Sequence, residues 1–181
     1  MSRLRVYDQR EPTRPLATHC DHGAIAQALG EVGVRFERWE ANKPVAAGAS
    51  QDEVIAAYRD DIERLQREKG YQAVDVISLT ADHPQKDALR QKFLSEHTHS
   101  EDEVRFFVAG QGQFTLHIGE RIYDVLCEKG DLIGVPDGTR HWFDMGPNPN
   151  FIAIRLFTNP EGWVANFTGE EIAARFPRLE N

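Results

Sequence analysis

His97 and His99 stand one residue apart, and a carboxylate, Glu103, follows four positions after His99. Imidazoles with a carboxylate form the mixed nitrogen and oxygen set that divalent transition metals take. On an extended strand, alternation puts His97 and His99 on one face, close enough to share an ion. The same strand run straight on would carry Glu103 about 20 Å away, so the chain must turn through Ser100, Glu101 and Asp102. Val104-Arg105-Phe106-Phe107-Val108 then reads as a returning strand, opened by Glu103 and lying beside the first. Downstream, Pro136-Asp137-Gly138 is a turn signal that puts His141 at or just inside a further strand, as candidate fourth ligand. Three neutral imidazoles and one carboxylate leave an octahedral ion two open positions. Structural zinc is more often tetrahedral and closed, whereas Fe(II) and Ni(II) accept such a set at higher coordination. A substrate with adjacent oxygens could then chelate the ion, which would act as template and Lewis acid. Arg105, two residues after Glu103, shares its inward face and offers an oxyanion two parallel donors; its alternative role is a structural salt bridge.

Holding such a set requires strands on either side of it. A short strand is expected over residues 3 to 8, broken by Pro12 and Pro15. Asp21 can cap a helix over Ile25, Ala26 and Leu29 that ends near Gly30 or Gly33, and residues 34 to 39 alternate like a half-buried strand. Ser50 and Glu53 form a capping box, and Val54, Ile55, Tyr58, Ile62 and Leu65 then recur at helical spacing as far as Gly70. Arg59, Asp60, Glu63 and Arg67 would form the solvated face of that single helix. Residues 73 to 79 read as a strand, and His83-Pro84 introduces a short helix through Leu89 to Phe93. From His97 to Phe157, short alternating apolar runs punctuated by glycine predict a small antiparallel barrel. A second capping box at Thr168 and Glu171 predicts a last helix, closed by Pro177. The expected class is mainly β with peripheral helices (α+β). A single domain over residues 1–181 is expected, with elaborations in 1–93, a barrel core at about 94–158 and a C-terminal tail.

The formal net charge of −8 and a sequence pI near 5.4 argue against a broad nucleic-acid surface, since no basic stripe is present to neutralise phosphates. No stretch reaches the roughly 18 apolar residues of a membrane span, and the N-terminus lacks a signal peptide's apolar core. A cytoplasmic protein without membrane or nucleic-acid partners is expected, and a monomer. Cys20 and Cys127 share no C-x-x-C frame and read as ordinary thiols. His19, His22, His83 and His117 have no metal-ligand frame and read as ordinary histidines.

The joint pattern resembles the cupin superfamily. Its first motif, G-x5-H-x-H-x3-E-x6-G, is matched at His97, His99, Glu103 and Gly110, with Gln91 at the opening glycine position. Its second, G-x5-P-x-G-x2-H-x3-N, is matched at Gly130, Pro136, Gly138 and His141, with Met145 in place of the closing Asn. Within the cupins, Phe93-Leu94-Ser95-Glu96-His97 and Glu101 to Gly110 resemble the bacterial acireductone dioxygenases of methionine salvage, and the likeness runs over nearly the whole chain. The resemblance implies a cupin-type barrel, or double-stranded β-helix, holding one Fe(II) or Ni(II) ion on His97, His99, Glu103 and His141. It implies as substrates O2 and acireductone, 1,2-dihydroxy-3-keto-5-methylthiopentene. The iron form would give formate and 4-methylthio-2-oxobutanoate; the nickel form would give formate, CO and 3-methylthiopropanoate. It also implies that Arg105 helps generate the substrate dianion, and that Glu96 and Asp102 assist metal loading and conformational signalling. Phe93, Phe107, Phe143 and Trp163 are candidates to wall the methylthio tail, although aromatics at such spacings more often serve a core. Two other readings keep the same ligands: an oxygenase for another chelating substrate, separable by a substrate panel, and a ligand-binding cupin that consumes no oxygen.

Overall fold

The central strands are buried on both faces, and helices cover what the smaller sheet leaves apolar on its outer side. In the computed structural model, which describes residues 1–181, the strands are β1 (Arg3–Asp8), β2 (Ala17–His19), β3 (Arg35–Arg38), β4 (Ala73–Leu79), β5 (His97–Thr98), β6 (Glu103–Ala109), β7 (Gln111–Ile118), β8 (Arg121–Glu128), β9 (Asp131–Val135), β10 (Arg140–Asp144), β11 (Phe151–Phe157) and β12 (Asn166–Phe167). The helices are α1 (His22–Gly30), α2 (Gln51–Ala57), α3 (Arg59–Lys69) and α4 (Lys86–Leu94). Two antiparallel sheets result, ordered β12-β5-β10-β7-β8-β1-β2 and β3-β9-β6-β11-β4. This is the mainly β, α+β architecture expected of a cupin barrel, and strands from the first half of the chain complete both sheets.

Alternation on β6 shows how the sheets divide their side chains. Val104, Phe106 and Val108 point outward and pack under α2 and α3 with Val54, Tyr58, Ile62 and Leu65. Glu103, Arg105 and Phe107 point the other way, into the barrel, where Phe107 joins Phe114, Val125, Ile133 and Phe143 in the main core. A third cluster, built on Tyr7, Trp142, Ile172 and Phe176, fastens the C-terminal residues to the outer face of the larger sheet.

Three expectations need correction. The single helix from Ser50 to Gly70 is two, because Tyr58 leaves helical geometry at φ −108° and ψ 24°. Its phenol oxygen there accepts the Lys43 N–H at 3.2 Å while its ring meets Phe106 edge-on, so tertiary packing overrides the continuous helical pattern. The strand opened by Glu103 does not lie beside the histidine strand: β5 belongs to the larger sheet and β6 to the smaller, so residues 100–102 cross between sheets. The Thr168–Glu171 capping box does not form either. Thr168 Oγ1 instead donates to Glu96 Oε1 at 2.9 Å, and only a 3₁₀ turn, Ile172–Arg175, follows. Capping by Asp21 and Ser50 and the left-handed Gly70 stop are as the sequence predicts. No helix is long and apolar enough to cross a membrane.

Candidate metal centre

β5 is only two residues long, yet it fixes two imidazoles because it is sandwiched between β10 and β12. His97 pairs directly with His141 across β5 and β10, and their ring centroids are 4.4 Å apart. His99 follows just past the strand, 5.1 Å from His97 and 5.0 Å from His141 by ring centroid. Each ring is held at Nδ1 by a backbone carbonyl: Ser95 at 2.7 Å for His97, Val164 at 3.1 Å for His99 and Thr139 at 2.8 Å for His141. A carbonyl only accepts, so the proton of each neutral ring sits on Nδ1 and the Nε2 lone pair is presented to the site.

Candidate ligand atoms of the three histidines all lie within 4.8 Å of one another. Glu103 reaches the same point from the opposite sheet, its Oε2 standing 3.5 Å from His99 Nε2 and 3.7 Å from His141 Nε2. These three atoms, His99 Nε2, His141 Nε2 and Glu103 Oε2, are buried with no hydrogen-bond partner. Orphaned buried polar atoms are costly, and three aimed at one point, on residue types that ligate metals, fit a divalent cation. The protonation states suit it as well. Burial pushes His97 and His99 below the usual imidazole range and His141 down to about 3, so all three stay neutral. Burial alone would raise Glu103, but the Arg105 guanidinium beside it, together with His141, His99 and Arg155, outweighs this and keeps the carboxylate ionised.

Arg105 donates from Nε and Nη2 to Glu103 Oε1 at 3.0 and 2.7 Å, which leaves Glu103 Oε2 free for the histidines. Its remaining nitrogen, Nη1, is buried without a partner. A small cavity opens above this cluster, lined by Lys92, Phe93, His97, His99, Arg105, Phe143, Arg155, Trp163 and Ala165. Phe93, Phe143 and Trp163 thus face the same space as the histidines, whereas Phe107 lies behind Phe143 in the core and is absent from the lining. Glu96 turns away from the centre. It accepts from His117 Nδ1 at 2.6 Å and from Thr168 at 2.9 Å, fastening β5 to the tail. Asp102 accepts the Asp137 N–H at 2.8 Å, tying the crossing loop to the turn that precedes His141.

The family model described as ARD/ARD' family matches residues 3–165, nine-tenths of the chain. The chain belongs to the ARD/ARD' family. Among its relatives, acireductone dioxygenase of Pseudomonas aeruginosa (strain UCBPP-PA14) is 67% identical, and acireductone dioxygenase of Stutzerimonas stutzeri (strain A1501) is 64% identical, each over 100% of both chains. Acireductone dioxygenase from Bacillus anthracis, solved with a cadmium ion in its active center, superposes with a TM-score of 0.81 at 32% identity, covering 92% of this chain and 98% of that one. Sequence reasoning about this ARD/ARD' chain missed Arg155, a lining residue of the cavity. The signal was present in the only charged residue of the apolar strand Phe151–Phe157.

Proposed function

We propose that this chain is a metal-dependent dioxygenase that cleaves acireductone with O2 in methionine salvage, using one Fe(II) or Ni(II) ion held by His97, His99, Glu103 and His141. The observation that carries the reading is the convergence of partnerless buried His99, His141 and Glu103 atoms, in a chain whose full-length relatives are acireductone dioxygenases. When bound, the ion supplies Lewis acidity and a template for adjacent substrate oxygens.

The chain's own residues do the rest. Arg105, pinned by Glu103, directs its free Nη1 at a substrate oxyanion and favours loss of the substrate proton. Phe93, Phe143 and Trp163 cover the methylthio tail and keep water from the reacting oxygens. Glu96 and Asp102 act at one remove, by holding β5 and the crossing loop while the ligand set takes up its ion.

Apoprotein reconstituted separately with Fe(II) and Ni(II) and given acireductone in air tests the reading. Fe(II) is expected to yield formate and 4-methylthio-2-oxobutanoate, and Ni(II) to yield formate, CO and 3-methylthiopropanoate. Oxygen uptake no faster than the enzyme-free control with either ion would defeat the assignment and favour a non-catalytic ligand-binding cupin. Identical products from both ions would leave the oxygenase standing and remove the dependence on the metal.

A further inference from the structure

Arg155 is in register with Asp75 on β4 and with Arg105 on β6, so one rung across three strands carries a carboxylate and two guanidiniums in sequence. Like charges directly opposite on neighbouring strands repel, and a buried guanidinium is costly unless paired. Asp75 meets the second cost, because Arg155 Nε and Nη2 donate to its two oxygens at 2.9 and 2.6 Å in a side-on fork. Asp75 and Glu103, one carboxylate beside each guanidinium, offset the first. Both arginines line the cavity that His97 and His99 also line.

The two guanidiniums are used alike. Glu103 occupies the Nε and Nη2 edge of Arg105, Asp75 occupies the same edge of Arg155, and in each case Nη1 is left as a donor. A rigid pair of cations, each locked from behind by its own carboxylate, suits an oxygen-rich anion placed between them.

We propose that Arg155, held in place by Asp75, is a second substrate-binding guanidinium, which takes an anionic oxygen of the substrate on the side opposite Arg105. The inference rests on the dioxygenase reading above and names the feature its substrate must have: deprotonated oxygens at more than one position. Charge agrees with this. A divalent ion, two arginines and two carboxylates leave two positive charges in excess, the complement of a dianion, and loss of Arg155 would halve that excess. Asp75 is a positioning residue, acting through Arg155.

The test is anaerobic calorimetric titration of the metal-loaded protein with acireductone, where binding is read without turnover, beside steady-state kinetics and metal content. Arg155→Met should weaken binding by ~10–100-fold, the loss expected for a hydrogen bond to a charged group. It should raise KM more than it lowers kcat and leave metal content unchanged. Arg155→Lys should restore part of the binding, and Asp75→Asn should weaken it less than Arg155→Met. Because Arg155→Met strands the Asp75 carboxylate, the double variant Asp75→Asn/Arg155→Met keeps the test open if the single one misfolds. Parent-like binding by the double variant, or loss of the metal from it, would overturn the proposal while the parent's turnover upheld the dioxygenase reading. A parent protein that neither binds nor oxidises acireductone would remove both.

Discussion

Each imidazole at the centre is committed at one nitrogen and bare at the other, and this division makes the ligand set more than a cluster of histidines. Ser95, Val164 and Thr139 carbonyls fix the tautomers from behind, so every ring meets an ion with its lone pair already oriented. Replacing His97, His99, His141 or Glu103 by Ala should therefore weaken metal binding by at least ~10-fold, the loss that removing even an outer partner of a ligand can cause. Elemental analysis of the purified variants checks this, and full stoichiometry in any one of them would remove that residue from the set. Arg105→Met should behave differently, retaining the ion but losing ~10²–10³-fold in turnover, as when a preorganised donor to developing negative charge is removed. A metal-free or fully active Arg105→Met protein would contradict that role. Proton competition follows from burial. The folded chain holds His141 near 3 and His97 and His99 below the usual range, whereas the unfolded chain takes up these protons near pH 6.5. Unfolded protein thus binds more protons across this window, and the metal-free protein should lose stability as pH falls below about 6.5. Thermal melts of apoprotein at pH 7.5 and 5.5 read the effect; an unchanged melting temperature would mean that the imidazoles protonate as freely folded as unfolded.

At the scale of the strand, two glycines join fold to site, Gly110 on the connection from β6 to β7 and Gly112 near the start of β7. Gly110 adopts a φ of +64°, and a Cβ there would overlap the Asn150 carbonyl, so the tight link between the two sheets needs glycine. Gly112 has no such backbone demand; a Cβ there would meet the Phe143 ring. That ring lines the cavity, so Gly112→Ala should push it toward the substrate space, costing about 1–3 kcal/mol in urea unfolding and raising KM with metal content unchanged. An unaltered KM would show that Phe143 relaxes elsewhere. Strand parity was the part of this design legible in the sequence: Glu103, Arg105 and Phe107 on one face of β6 and Val104, Phe106 and Val108 on the other follow from alternation. Sheet membership was not legible, since a three-residue turn after His99 serves equally for a hairpin or a crossing between sheets. The break at Tyr58 was hidden for a related reason, because its cause is the remote Lys43 N–H and the Phe106 ring rather than any local signal. Phe107 and Phe143 have the same type and inward parity, and only the depth of packing separates the core residue from the lining residue.

Over the whole molecule, the ligand set joins the two sheets across the inside of the barrel. His97 and His141 come from the larger sheet, Glu103 and Arg105 from the smaller, and His99 lies where the chain passes from one to the other. An ion bound at this point cross-links the barrel across its width. Without it, Glu103 Oε2 and the bare imidazole nitrogens of His99 and His141 remain buried and unsatisfied. Ion binding to the native state alone contributes ~2.7 kcal/mol at a free concentration of 100 times Kd. In a domain of about this size each kcal/mol moves Tm by ~2–4 °C, so a chelator should lower Tm by about 5–10 °C, and added Fe(II) or Ni(II) should restore it. His141→Ala provides the control. If the shift arises at the proposed centre, the variant's melting temperature should no longer respond to chelator, whereas an ion held elsewhere on the surface would leave the response intact. A parent protein whose Tm is indifferent to the chelator would count against an ion bridging the two sheets, however well the four side chains converge.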